Sequence, residues 1–307
     1  MKQIKVFLSL LLIAGLFTVA GCSKKETPMQ KYTAYEGGII YGYEGMTKYE
    51  DDSYDGAFKT ADEKISLGSI YYTGDFLRCY GVNCDGSAAD FAEAIIAQWG
   101  VDAEIKKDGD LVYAVYDIAP EDGEAYHYVT GFYATGDCYY YTDFFGTKTN
   151  MQDKESDMIA MLKKNSFEEA DHTAKFTVGD LTLKLDEYFS QGTSEDSGNV
   201  YFNLGNVIMY FDDEYNDLAG EGYTAKQAAI EDAESWNYTA DDVIERKNYA
   251  YYIDTWTDEE YGDEYKVYEV WYSNGGPLWW IEAYCPSSDV DFVEPMLLRY
   301  FDNIVQK

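Results

Sequence analysis

Residues 111–118, 126–134 and 138–145 are short runs of apolar and aromatic side chains bounded by polar turn segments, as strands are, and residues 249–255, 265–272 and 278–285 repeat the pattern. Each trio predicts an antiparallel meander, with Ala134-Thr-Gly-Asp137 and Asn274-Gly-Gly-Pro277 as turns. A helix is predicted ahead of each trio. Ser87 with Asp90, and Thr224 with Gln227, have the spacing of a capping box. Phe91, Ile95 and Trp99 share one helical stripe, and Ala229, Ala233 and Trp236 share another, so each helix is expected to end on a tryptophan turned to the core. Earlier in each series, residues 32–43 and 172–185 read as strand pairs around a turn glycine. Residues 70–80 and 200–210 match as an aromatic pair, a glycine and a second apolar run. Each series closes with a helix, over 154–165 and 293–305. Pro295 is expected in the first turn of the latter, because an interior proline breaks a helix.

The shared order of elements divides the chain into two tandem α+β domains, 32–167 and 172–307, the second a repeat of the first. Aligning the copies sets Glu282 on Thr142 and Glu269 on Val129. Hairpins, a helix, a three-stranded meander with an aromatic third strand and a closing helix together resemble the PsbP-like fold. That resemblance implies an antiparallel sheet flanked by helices, an α-β-α sandwich, acting as a binding or assembly module with no catalytic residues.

The first residues read as a processing signal. Lys2 and Lys5 precede an apolar run over 6–19, too short to span a bilayer comfortably. Val19-Ala20-Gly21-Cys22 resembles the bacterial lipobox. The resemblance implies a signal peptide over 1–21, a diacylglyceryl group on Cys22, and a polar tether over 22–31. It implies an extracytoplasmic protein held to the bacterial cell membrane by its N-terminal lipid.

Composition narrows the partners. The chain has 57 acidic and 23 basic side chains, a formal charge of −34. Nucleic acid requires a basic footprint and is excluded. The acids are interleaved with 32 tyrosines, which predicts ordered sheet surface rather than an acidic tail. Cys79 and Cys84 have the spacing for a local disulfide in an oxidising compartment, the other reading being two buried thiols. His127 and His172 stand at no ligand spacing from a cysteine pair, so no metal site is expected there. Asp51, Ser53, Asp55, Gly56 and Asp62 partly match a dockerin-type calcium loop, against which stand Lys59 and the lack of a following helix. An acidic surface loop is the stronger reading.

In the last predicted hairpin, alternation puts Tyr268, Val270, Tyr272, Trp279, Ile281 and Ala283 on one face. Glu269, Trp271, Trp280 and Glu282 fall on the other. Two tryptophans beside two carboxylates can stack on a sugar ring and hold its hydroxyls. Burial under a helix is the commoner role for strand aromatics. The two glutamates also match the residue types of a glycosidase pair, although with 57 acids such pairs arise by chance. No nucleophile elbow, HExxH, GxGxxG or P-loop occurs. No catalytic residue and no cofactor are therefore expected. The expected function is non-catalytic binding or assembly at the envelope, with an unknown envelope protein or glycan as partner. A calcium- or carbohydrate-binding module is the alternative, and a glycoside hydrolase the weaker one.

Overall fold

A computed structural model describes residues 27–34, 38–120, 123–213, 222–258 and 262–307. The predicted signal peptide and Cys22 lie outside the described residues. β1 (Met29–Thr33) and β2 (Ile39–Tyr43) form the hairpin predicted over 32–43. Then come β3 (Thr47–Tyr49), β4 (Gly56–Lys59), β5 (Ser66–Thr73), β6 (Ile105–Asp108), β7 (Leu111–Ile118), β8 (Tyr126–Thr135) and β9 (Cys138–Thr147). They form a seven-stranded antiparallel sheet ordered β3-β4-β5-β9-β8-β7-β6. Helices α1 (Gly74–Cys79) and α2 (Ala88–Trp99) lie between β5 and β6, and α3 (Lys148–Met151) and α4 (Glu155–Leu162) follow β9.

The second half begins with the hairpin of β10 (Thr173–Val178) and β11 (Leu181–Asp186), and β11 pairs on its other edge with the terminal β19 (Val305–Gln306). β12 (Ser190–Thr193), β13 (Val200–Leu204), β14 (Val207–Asp212), β15 (Ile244–Glu245), β16 (Tyr249–Thr257), β17 (Glu264–Tyr272) and β18 (Trp279–Pro286) make the other sheet. Its order, β12-β13-β14-β18-β17-β16-β15, repeats that of the first sheet strand for strand. Helix α5 (Ala225–Ser235) precedes β15, and α6 (Val290–Asp302) follows β18.

The six meander strands and both helix caps form where predicted. Ser87 accepts from the Asp90 N–H, and Thr224 and Gln227 complete a reciprocal capping box. Other expectations need correction. Residues 70–80 do not continue as a second strand, because the Thr73 hydroxyl accepts from the Phe76 N–H at 2.9 Å and starts α1. The strand order makes β5 the counterpart of β14, so 70–80 and 200–210 are not equivalent. Pro295 stands in the second turn of α6, where it lacks the N–H that would reach the Asp291 carbonyl. The alignment of the copies was slipped: Val129 is buried between β8 and the α4 layer, on the face opposite to the one Glu269 occupies in β17.

Both faces of the first sheet are covered by large side chains. Leu67, Val129 and Phe144 meet Met158, Met161 and Leu162 of α4, together with Ile40 of β2. On the other face Phe132, Tyr139 and Tyr141 lie under Phe91, Ala92, Ile95 and Ile96 of α2, and Trp99 packs on Tyr116, Phe132 and Tyr141. The second sheet is asymmetric. Val270, Tyr272 and Ile281 pack against Val293, Leu297 and Phe301 of α6 and the leucines of β11. The opposite face receives α5, whose Ala225, Ala228 and Ala229 meet a small cluster of Ala250, Trp271 and Leu278 with Val243 and Trp280 at its edge. Trp236 does not mirror Trp99. It caps α5 and is 65% exposed.

Helix α1 joins the halves. Asp75 accepts hydrogen bonds from Arg78 within α1 at 2.8 Å, and from Arg299 and Tyr300 of α6. The Cys79 carbonyl accepts from the Asn206 N–H at 2.7 Å, at the β13–β14 turn. Gly205 in that turn has φ +55, and a Cβ there would lie 2.4 Å from the Cys79 carbonyl oxygen, so the contact requires glycine. Cys79 and Cys84 are not bonded to each other. Cys79 points into the second-sheet core, its thiol 3.8 Å from the Met296 sulfur, while Cys84 packs beside Leu77 and Phe91 in the first half. Burial holds the Cys79 thiol well above its ordinary range and pushes Cys84 up to about 11.

Asp75→Ala leaves Arg299 and Tyr300 without their acceptor and is expected to cost about 3 kcal/mol in urea unfolding. A loss under about 0.5 kcal/mol, the size of an ordinary surface change, would mean that the clamp is dispensable. A native sample freshly exposed to a thiol reagent is expected to react slowly at Cys79, Cys84, Cys138 and Cys285, all buried, and to titrate all four after unfolding. A native sample lacking titratable Cys79 and Cys84 even when unfolded would show them oxidised.

Candidate functional site

The sparse cover on the second sheet creates the site. Alanine side chains let α5 lie close over β16 and β17, and no described helix lies across β13 and β14. On that side Ile208 and Tyr210 of β14 and Trp280, Glu282 and Tyr284 of β18 share a face with Trp256 of β16 and Tyr265 of β17. With the loop after β12 they line a groove of about 810 Å³. The rings stand as walls. Tyr284 meets Trp256 at 6.2 Å and 86°, and Tyr210 at 6.2 Å and 84°. Tyr265 lies 5.4 Å from Trp256, which is 47% exposed.

The register is the one alternation predicts, with Trp271 opposite Trp280 and Glu269 opposite Glu282. The four residues nevertheless divide. Trp271 is 4% exposed beneath α5 and donates from its indole to Asp232 at 3.2 Å, so it belongs to the core. Trp280 is half-buried along the groove and donates to Glu269 Oε2 at 2.7 Å. Glu269 is 8% exposed, and Glu282 alone of the two opens onto the groove. Burial is the main reason the Glu269 carboxyl is pushed up to about 8. The charge of Glu282 adds to it, the Trp280 hydrogen bond opposes it, and Asp232 and Asp254 add smaller repulsions. Glu282 is also raised, by burial first, against a hydrogen bond from Tyr284.

Counting outward pairs from the hairpin turn, the first sheet has Phe132–Tyr141 where the second has Glu269–Glu282. Phe132 and Tyr141 lie under α2 and Trp99, so the acid pair and the open groove are features of the second sheet. The stretch 51–62 does not fold as a single loop. Gly56 opens β4, which continues through Phe58 and Lys59, and the Asp55 carboxylate accepts from the Tyr71 N–H at 2.8 Å. Among the described residues no cluster of three His, Cys, Asp or Glu is arranged to hold a metal ion. Sequence reasoning missed Tyr210, Trp256, Tyr265 and Tyr284. Their common face could be read from strand parity, but not the fact that four strands bring them together.

No family model and no curated protein matches this chain. Among solved structures it is similar to cyanobacterial PsbP (CyanoP) from Synechocystis sp. PCC 6803, at 12% identity and a TM-score of 0.32, over 48% of this chain and 98% of that one. A dehydratase structure concerned with substrate selection in the borrelidin and fluvirucin polyketide synthases matches at 11% identity and a TM-score of 0.15, over 75% of this chain and 92% of that one. At these TM-scores neither likeness transfers a residue or an activity.

The raised Glu269 carboxyl has a consequence for stability. A folded-state value of about 8 against an ordinary 4.5 means that the folded chain binds this proton more tightly than the unfolded chain. The associated stability is complete below the unfolded value and is lost as pH rises through about 8. Glu269→Gln keeps an acceptor for Trp280 and removes the charge. It is expected to gain about 2 kcal/mol over the wild type on going from weakly acidic to alkaline pH, measured by urea unfolding. Parallel pH profiles for the two proteins would refute this.

Proposed function

We propose that this chain is a lipid-anchored protein of the bacterial envelope that binds a small organic ligand in the groove of its second sheet and does not transform it. The observation that carries the reading is the groove itself: five aromatic rings and two carboxylates, Asp196 and Glu282, on the part of the sheet that no described helix covers. Ligand sites combine a concave, largely apolar wall with a few polar groups that orient the ligand, and this groove has both. Anchoring rests on the lipobox at Cys22. The matching strand order of the two sheets, each with helices packed on its faces, supports two tandem copies of a PsbP-like α-β-α sandwich. In this reading the first copy, covered on both faces, is scaffold.

Glu269 and Glu282 favour binding over hydrolysis. A glycosidase places both carboxyl groups on the sugar, whereas Glu269 lies behind Trp280 with its carboxylate engaged by the indole. The carboxylates on the groove are Glu282 and the exposed loop residue Asp196, so the cross-strand pair that a glycosidase would use is not presented there together.

A thermal-shift screen of neutral, cationic and anionic small molecules and wall-derived oligosaccharides is expected to give stabilising compounds. Their effect should disappear in the Tyr210→Ala/Trp256→Ala double variant, and each should be recovered chemically unchanged. Full stabilisation of that variant by the same compounds would locate binding elsewhere and end this proposal, as would the absence of any stabilising compound.

A further inference from the structure

We infer that the groove takes an organic ammonium ion, enclosed by Trp256, Tyr210 and Tyr284 and balanced by the Glu282 carboxylate. This rests on reading the groove as a binding site and names the chemical class of its ligand. Three observations carry it. First, the rings are set at 84° and 86° to Tyr284 rather than laid flat. Coplanar rings suit the flat face of a sugar, while near-perpendicular rings make a box around a compact group. Aromatic faces carry negative charge density, so such a box attracts a cation.

Second, the charged groups lining the groove are Asp196 and Glu282, and among the described lining residues there is no Lys, Arg or His. An anionic ligand meets only repulsion there, within a chain of formal charge −34. A neutral ligand gains hydrogen bonds but nothing from that field.

Third, Glu282 faces negative charge from Asp232, which raises its carboxyl further after burial has done so, while its cross-strand partner Glu269, pushed up to about 8, offers it no cation. A positive charge in the groove relieves this repulsion, and the only nearby hydrogen-bond donor to Glu269 that is described, the Trp280 indole, is neutral. The volume of about 810 Å³ exceeds what a bare ammonium group fills, so the ammonium belongs to a larger body, either a free small molecule or an amino sugar.

Calorimetry at low salt separates the possibilities. Choline is compared with 3,3-dimethyl-1-butanol, its uncharged isostere, and a glucosamine oligomer with its N-acetylated form. Choline is expected to bind about tenfold or more tightly than the alcohol. Trp256→Ala and Glu282→Gln should each weaken choline about tenfold, and Glu282→Gln should leave binding of the alcohol unchanged. Trp256 is half exposed and Glu282→Gln preserves shape, so unchanged melting temperatures will verify that both variants are folded. Tighter binding of the glucosamine oligomer than of choline places the ammonium on a sugar, and the reverse makes it a free small molecule. Equal binding of choline and the alcohol, or binding of the N-acetylated oligomer with none of either ammonium probe, overturns the ammonium reading while leaving the groove a site. Failure of every probe to bind overturns it as well, and if the broad screen also yields no ligand, the binding function falls with it.

Discussion

A sheet has two faces, and each must be kept from water by something as broad as the sheet or else remain available to other molecules. The first sheet satisfies this on both sides, because α2 brings Phe91, Ile95, Ile96 and Trp99 to a face already rich in aromatic rings. Among the described residues, the second sheet meets it fully on one side only. The sequence of α5, with alanine at the buried positions, sets how close the helix can lie and how little width it can cover. The shape of the groove, the burial of Trp271 and the exposure of Trp256 all follow from that shortage of large side chains.

Much of the architecture was legible in advance. Short aromatic-rich runs between turn glycines locate the meanders, because β-favouring residues joined by hairpin turns have few other solutions. The helix caps were visible because Ser87 and Thr224 satisfy backbone N–H groups that nothing else reaches. The face assignment of Glu269, Trp271, Trp280 and Glu282 was legible from strand parity. Which of the four would be open was not, since that depends on the width of a helix arriving from elsewhere in the chain. The exposed Trp236 shows the same limit: matching tryptophans at two helix ends suggested matching burial, but burial needs a receiving surface, and α5 lacks one. The helix at α1 was missed because Gly74 reads as turn chemistry, while the Thr73 hydroxyl turns the chain helical instead.

The two halves repeat a strand order while differing in chemistry at equivalent places. Where Phe132 and Tyr141 face each other in the first sheet, Glu269 and Glu282 do so in the second. A covered face tolerates no such pair without a strong cost in desolvation. An acid pair is tolerable in the second sheet because water and the Trp280 indole still reach it. Loss of cover and gain of charge are thus two aspects of a single change.

The Asp75 contact has a bearing on how the chain is made. Its partners Arg299 and Tyr300 lie 224 and 225 residues farther along, so the contact cannot form before the last helix is in place. A first half folded ahead of α6 has Asp75 beside Arg78 alone and lacks the Met296 neighbour of Cys79. Such a half exposes a thiol-bearing seam whose closure awaits the second half. For as long as that seam is open it is a surface on which a chaperone can act, and its closing marks the moment when two separately formed sheets become one body.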